Sequence, residues 1–288
     1  MPKSPTWVNQ ELLEPLGEAS LAFFNYIGGA VVLFWQALTG VFELPWGRWF
    51  LSMAVPSRWK ELAKDRHWRL LVDQLEKVGV ASFPLVFLTG LFTGMVLALQ
   101  SAYQLQKLSA EAYIGALVAL SMTRELGPVL TALVMAGRIG AAITAELATM
   151  RVTEQIDAME TLATDPVKYL AVPRLTALLV MLPILTIYSD CIGILGGYIV
   201  GVYKLGISSS QYMHMTWDPL RIKDVVTGLF KSAVFAAIIA TVASYEGFET
   251  TGGAEGVGRS TTLSVVISFI LIITADCLFT ALFYFVFP

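Results

Sequence analysis

Charge is what this sequence has least of. Only 14% of its 288 residues are Asp, Glu, Lys or Arg, while 56% are hydrophobic and the mean hydropathy is +0.68. An ordinary soluble domain carries about 25% charged residues, so the deficit points to a bilayer. Cysteine is nearly absent. Cys191 and Cys277 both sit inside apolar runs and give neither a disulfide framework nor a zinc site. The two histidines, His67 and His214, have no metal-ligand partner at helical spacing. A net charge of −3 offers no argument for nucleic acid. There is no G-x-x-x-x-G-K-[ST] phosphate loop. The run Gly253-Ala-Glu-Gly-Val-Gly-Arg-Ser lacks the lysine that would reach a phosphate, and reads as a flexible turn. No Ser/His/Asp or Cys/His arrangement and no H-E-x-x-H appears, so an enzyme is hard to build from these residues. Glu11, Glu14 and Glu18 precede the first apolar run, where a secretory signal would need basic residues.

What is present is a series of long apolar segments. Residues 19–42 carry no charge and are long enough to cross a core of about 30 Å. Asn25, Gln36, Thr39 and three glycines dilute them, so crossing and lying in the interface both remain open. Residues 45–80 interleave Arg48, Arg58, Lys60, Lys64, Arg66, Arg69 and Lys77 with Trp46, Trp49, Trp59 and Trp68. That is the composition of a cytoplasmic headgroup anchor. Five spans follow, at about 82–105, 125–150, 175–202, 224–245 and 263–287. Residues 106–122 and 203–223 are expected outside. The first span carries Gly90-x-x-x-Gly94, a spacing that lets helices approach closely. The division is an N-terminal helical region, 1–80, and a five-span domain, 81–288. The cytoplasmic side collects Lys3, the basic residues of 48–77, Arg151, Lys168, Arg174 and Arg259. The outside holds Lys107, Arg124, Lys204, Arg221 and Lys223. This bias predicts a cytoplasmic N-terminus and an external C-terminus.

Ionisable groups at membrane depth cost at least about 2.5–3.5 kcal/mol near the centre, and usually face a bundle interior or a wet cavity. Counting about 1.5 Å per residue from the expected outer ends puts Glu125 at the mouth of span two, beside Arg124. Lys231 then lies roughly 10 Å in, Asp276 roughly 16 Å, and Arg138 and Asp190 roughly 20 Å. Two intramembrane pairs are expected on this count, Lys231 with Asp276 and Arg138 with Asp190. Arg124, Glu125, Lys231 and Asp276 would line one polar mouth suited to a headgroup. The plainer reading is that such pairs only hold helices together.

The stretch RELGPVLTALVMAGRIGAAITAELATM (124–150) is followed by RVTEQIDAMETLATDPVKYLAVPR (151–174). The second half reads as a polar cytoplasmic helix that Thr153 could cap and Asp165-Pro166 ends. Arg151, Glu154, Asp157, Met159 and Leu162 are its candidates for docking a partner. Met159 and Leu162 would enter a groove.

Together with GMVLALQ (94–100), GVGRSTT (256–262) and the Asp276 neighbourhood, this stretch resembles the MlaE/YrbE permeases, membrane subunits of MCE-type lipid ABC transporters. The resemblance covers about residues 70–285. It implies an all-α, polytopic membrane fold with an N-terminal interfacial helix and five transmembrane helices, paired as a homodimer. Residues 151–169 correspond to a coupling helix on a separate ABC ATPase, which would hold the ATP and Mg; this chain would bind no cofactor. An MCE-domain protein of the MlaD kind would sit outside, and a STAS-domain regulator beneath the ATPase. The implied substrate is phospholipid and the implied location the bacterial inner membrane, with a plastid envelope as the other setting. The competing readings are an ion-coupled secondary transporter and a non-transporting membrane scaffold.

Overall fold

The computed structural model describes residues 10–45 and 65–286, and their regular structure is helical throughout. Arg48, Arg58, Lys60 and Lys64, with Trp46, Trp49 and Trp59, lie outside the described residues, as does Lys3. We number the helices α1 (Gln10–Glu43), α2 (Arg66–Val78), α3 (Phe83–Leu105), α4 (Glu111–Val152), α5 (Gln155–Thr161), α6 (Val167–Lys204), α7 (Ser209–Trp217), α8 (Ile222–Phe248) and α9 (Gly253–Val286).

Helix α3 shows which solvent the fold expects. Its buried positions are Val86, Gly90, Gly94, Ala98 and Ala102. Its exposed ones include Leu85, Leu88, Phe92, Val96, Leu99 and Tyr103. Small residues face the protein and large apolar ones face out, the reverse of a water-soluble helix and the pattern of a helix packed in lipid. Among the described residues, six helices are long and apolar enough to cross a bilayer. The chain is a multi-pass membrane protein. The Gly90/Gly94 face lies on α6. A Cβ on Gly94 would run into the Gly193 backbone, and one on Gly90 would come within 3.0 Å of the Ser189 carbonyl. Gly94→Val is therefore expected to cost about 1–3 kcal/mol by overpacking. It should lower the melting temperature of the detergent-solubilised protein. Gly28→Val, where an added Cβ meets nothing within 4 Å, should not lower it.

Two prolines shape the long helices. Pro128 and Pro173 cannot donate an N–H and clash with the carbonyl four residues back. Immediately before them the chain makes wider π turns, at Met122–Leu126 and Val167–Ala171, and the helix continues. This overturns two expectations. Residues 114–122 are not a separate segment between two spans. They belong to α4, with Ile114, Gly115, Val118, Ala119 and Met122 buried. The third span begins at Val167, before Pro173 rather than after it. The glycine-rich run is likewise mostly helical. Only residues 249–252 link α8 to α9, with Gly252 and Gly253 at φ +90° and +69°.

Neighbour pairs fix the directions. Thr123, Gly140 and Leu147 of α4 lie against Gly228, Ile239 and Gly247 of α8, so these two helices run together. Helices α3, α6 and α9 run oppositely: Gly94 meets Gly193, Met122 meets Gly193, and Thr144 bonds Ser264 at 2.9 Å. One end of the bundle thus gathers α5, the start of α6 and the end of α8. The other end carries α7. Helix α1 buries Leu33, Ala37 and Gly40 on one face. Tyr26 stacks edge-on against Tyr245 at 4.9 Å, near the end of α8, and Glu43 pairs with Lys168 at 2.6 Å, at the start of α6. Those two contacts are about 26 Å apart along α1, yet both fall at the α5 end of the bundle.

Candidate functional site

At the α7 end, the π turn of α4 presents Arg124 and Glu125 to α8. A Cβ on Gly228 would strike the Thr123 carbonyl, so only glycine lets α8 close on this turn. Lys231, two turns further along α8 from Asp224, is buried with its ammonium at the centre of a cluster. It donates to Glu125 Oε2 at 2.7 Å, Asp276 Oδ1 at 2.9 Å, Thr280 Oγ1 at 2.8 Å and the Arg124 carbonyl at 3.2 Å. Thr280 in turn donates to Glu125 Oε1 at 3.0 Å. A π turn puts backbone carbonyls out of register with the following N–H groups, which suits Arg124 to accept from a side chain. Arg124 reaches back to Asp224, with Nε at 2.8 Å and Nη2 at 2.7 Å from the same oxygen. Asp224 also accepts from the Arg221 backbone N–H and so caps α8.

The four expected mouth residues, Arg124, Glu125, Lys231 and Asp276, therefore come together from α4, α8 and α9. Asp224 and Thr280 join them and were not expected. Their signal lay in the periodicity: Asp224 is seven residues before Lys231, and Thr280 four after Asp276, each on its partner's face.

The expected pair of Arg138 and Asp190 is not formed. Asp190 lies against Gly127, where an added Cβ would strike its Oδ1. That oxygen is buried with no hydrogen-bond partner among the described residues. Arg138 is eleven residues further along α4, about 16 Å away, and donates to Ser82 Oγ. The depth count failed because it began the second span at Glu125, whereas the helix begins at Glu111. At the α5 end, buried Arg174 holds Glu146 at 2.9 Å and the Leu170 carbonyl at 2.7 Å.

The segment after α4 also departs from expectation. Thr153 does not cap α5; its hydroxyl donates back to the Thr149 carbonyl. Glu154, at φ +59°, occupies the cap position instead. Arg151 pairs with Asp157. Ile156 is buried, and Met159 packs partly against this chain's own core. Leu162, by contrast, is 77% exposed. Of the two apolar residues expected to face a partner, Leu162 alone is largely free to do so.

Comparison with known proteins now decides the family. The model of the permease MlaE matches residues 71–282. The chain belongs to the MlaE permease family. It is 50% identical to a probable ABC transporter permease protein of Rickettsia conorii over 260 residues, 90% of this chain and 97% of that one. It is 35% identical to the intermembrane phospholipid transport system permease protein MlaE of Haemophilus influenzae over 271 residues, 94% and 96% of the two chains. It is 37% identical to the chloroplastic protein trigalactosyldiacylglycerol 1 of Arabidopsis thaliana, covering 84% of this chain and 72% of that one. This permease is thus a multi-pass subunit of the ABC transporter type. The matched range opens inside α2 and includes every residue of the Lys231 cluster.

Proposed function

We propose that this permease moves phospholipids between the inner membrane and an MCE-domain partner outside it, driven by a separate ATPase beneath it. The observation that carries the reading is the Lys231 cluster. It is a charged, hydrogen-bonded site at membrane depth, built by three helices near one end of the bundle, with Glu125 and Asp276 partly open to the surface. The Haemophilus relative, a permease protein of an intermembrane phospholipid transport system, supports phospholipid as cargo. In this reading two copies of the chain pair, and α1 lies in the cytoplasmic interface, in keeping with its two contacts at the α5 end. The N-terminus is then cytoplasmic, the C-terminus periplasmic, and the membrane a bacterial inner membrane.

The mechanism involves no covalent chemistry in this chain. ATP with its Mg is bound and hydrolysed by the partner. Closure of the ATPases presses on Glu154, Asp157, Leu162 and their neighbours around α5. Helix α4 runs unbroken from there to Glu125, so displacement at one end shifts the π turn at the other. The Lys231 contacts then rearrange and the lipid is released. Such work needs two discrete packings of the same helices. A STAS-domain protein beneath the ATPase would regulate it.

The test is purification of the permease from its native membrane in mild detergent. An ABC ATPase, an MCE-domain protein and bound phospholipid are expected in one assembly. Assemblies that never contain a nucleotide hydrolase would contradict the proposal.

A further inference from the structure

Which phospholipids such a site takes depends on which of its charges are already spent. The Lys231 ammonium has three protons and four acceptors within 3.2 Å, and its side chain is 2% exposed. It has nothing left to offer a phosphate. The two carboxylates around it are more open, Glu125 at 38% and Asp276 at 22%. Two carboxylates against one ammonium leave an excess of one negative charge. A second cation, Arg124, is 53% exposed; among the described residues it bonds Asp224 through Nε and Nη2, which leaves its Nη1 edge open. Asp224 and Lys231 are seven residues apart on α8, which separates the two ion pairs by about 10 Å. From the outer end inward, the site offers one free guanidinium edge and then a patch of excess carboxylate.

Taking this cluster as the phospholipid site, we propose that it selects zwitterionic headgroups ending in an ammonium, phosphoethanolamine or phosphocholine, over anionic ones. The phosphate meets Arg124, whose planar fork suits it. The terminal ammonium meets Glu125 and Asp276 and neutralises their excess charge. A phosphoglycerol headgroup brings hydroxyls there instead, and leaves an uncompensated carboxylate at membrane depth, which is costly.

The test is lipid transfer by the complete transporter from proteoliposomes containing equal amounts of phosphatidylethanolamine and phosphatidylglycerol. Moved lipid is read by mass spectrometry. Wild type is expected to favour phosphatidylethanolamine by a factor on the order of ten, the worth of about one charge-assisted contact. Glu125→Gln removes the excess charge and should bring the ratio towards one. Thr280→Val keeps every charge, and should lower total flux while preserving the ratio. Where a variant moves too little lipid to score, the lipids retained by the monodisperse, detergent-purified complex give the same ratio. A wild-type ratio of one with measurable flux, a preference for phosphatidylglycerol, or a ratio unchanged in Glu125→Gln overturns the selectivity while leaving phospholipid transport intact. No flux of either lipid in wild type removes the transport reading itself, and the selectivity with it.

Discussion

Lys231→Ala is expected to abolish lipid transport and to cut the yield of folded permease sharply. The substitution removes the one cation that Glu125 and Asp276 share. Two carboxylates are then left near each other at membrane depth, and Thr280 loses the donor it accepts from. Removing one partner of a buried ion pair costs about 3–5 kcal/mol, a large part of the roughly 5–15 kcal/mol that holds a typical protein folded. The measurement is the monodisperse fraction on size exclusion alongside transport in proteoliposomes. Combining Lys231→Ala with Glu125→Gln and Asp276→Asn removes the uncompensated charge. Yield should recover in that triple variant and transport should not. Recovery of both would mean the cluster only holds α4, α8 and α9 together. Full transport by Lys231→Ala alone would exclude the cluster from the mechanism.

Leu162→Asp is expected to do the opposite, leaving the fold intact and ending ATP-driven transport. Leu162 is 77% exposed, just past α5, so a carboxylate there costs this chain little. If it is buried in an ATPase groove, the new charge is desolvated at an interface anchor. Truncating such an anchor typically costs at least about 2 kcal/mol, some 30-fold in affinity. The assays are melting temperature of the isolated permease, which should not move, and retention of the ATPase on purification, which should fall. Met159→Asp should instead lower the melting temperature, because Met159 packs against this chain's own core. Normal ATPase retention and transport in Leu162→Asp would relocate the coupling surface.

How much of this was legible in the sequence follows from the physics of each signal. The helical membrane fold was, because long uncharged runs have few alternatives in lipid. The mouth cluster was largely legible too. Charges at membrane depth must find one another, and Lys231 has Asp276 and Glu125 within reach at compatible depth. The Arg138–Asp190 pairing was misread because depth was counted from a span boundary set by polarity. The segment 106–122 looked amphipathic, yet from Glu111 on it belongs to the helix that continues to Val152, with Ile114, Val118 and Met122 buried. Pro173 misled for a different reason: a π turn ahead of a proline lets a helix pass through it, so α6 already starts at Val167, and nothing in residue spacing announces such a turn. Thr280 and Asp224 were missed because a hydroxyl and a helix-capping carboxylate read as ordinary until the helix faces are known. The inward face of Met159 depends on where α5 lands, which is a tertiary fact.

The claim on which the account rests is that lipid movement at the Lys231 cluster is driven through α5 by a hydrolase that is a different polypeptide. The most direct measurement is phospholipid transfer from proteoliposomes holding the permease alone, with the co-purifying ATPase, or with that ATPase carrying Leu162→Asp permease. ATP-dependent transfer is expected only in the second preparation. Nucleotide consumption by the permease alone, or equal transfer in all three, would contradict it.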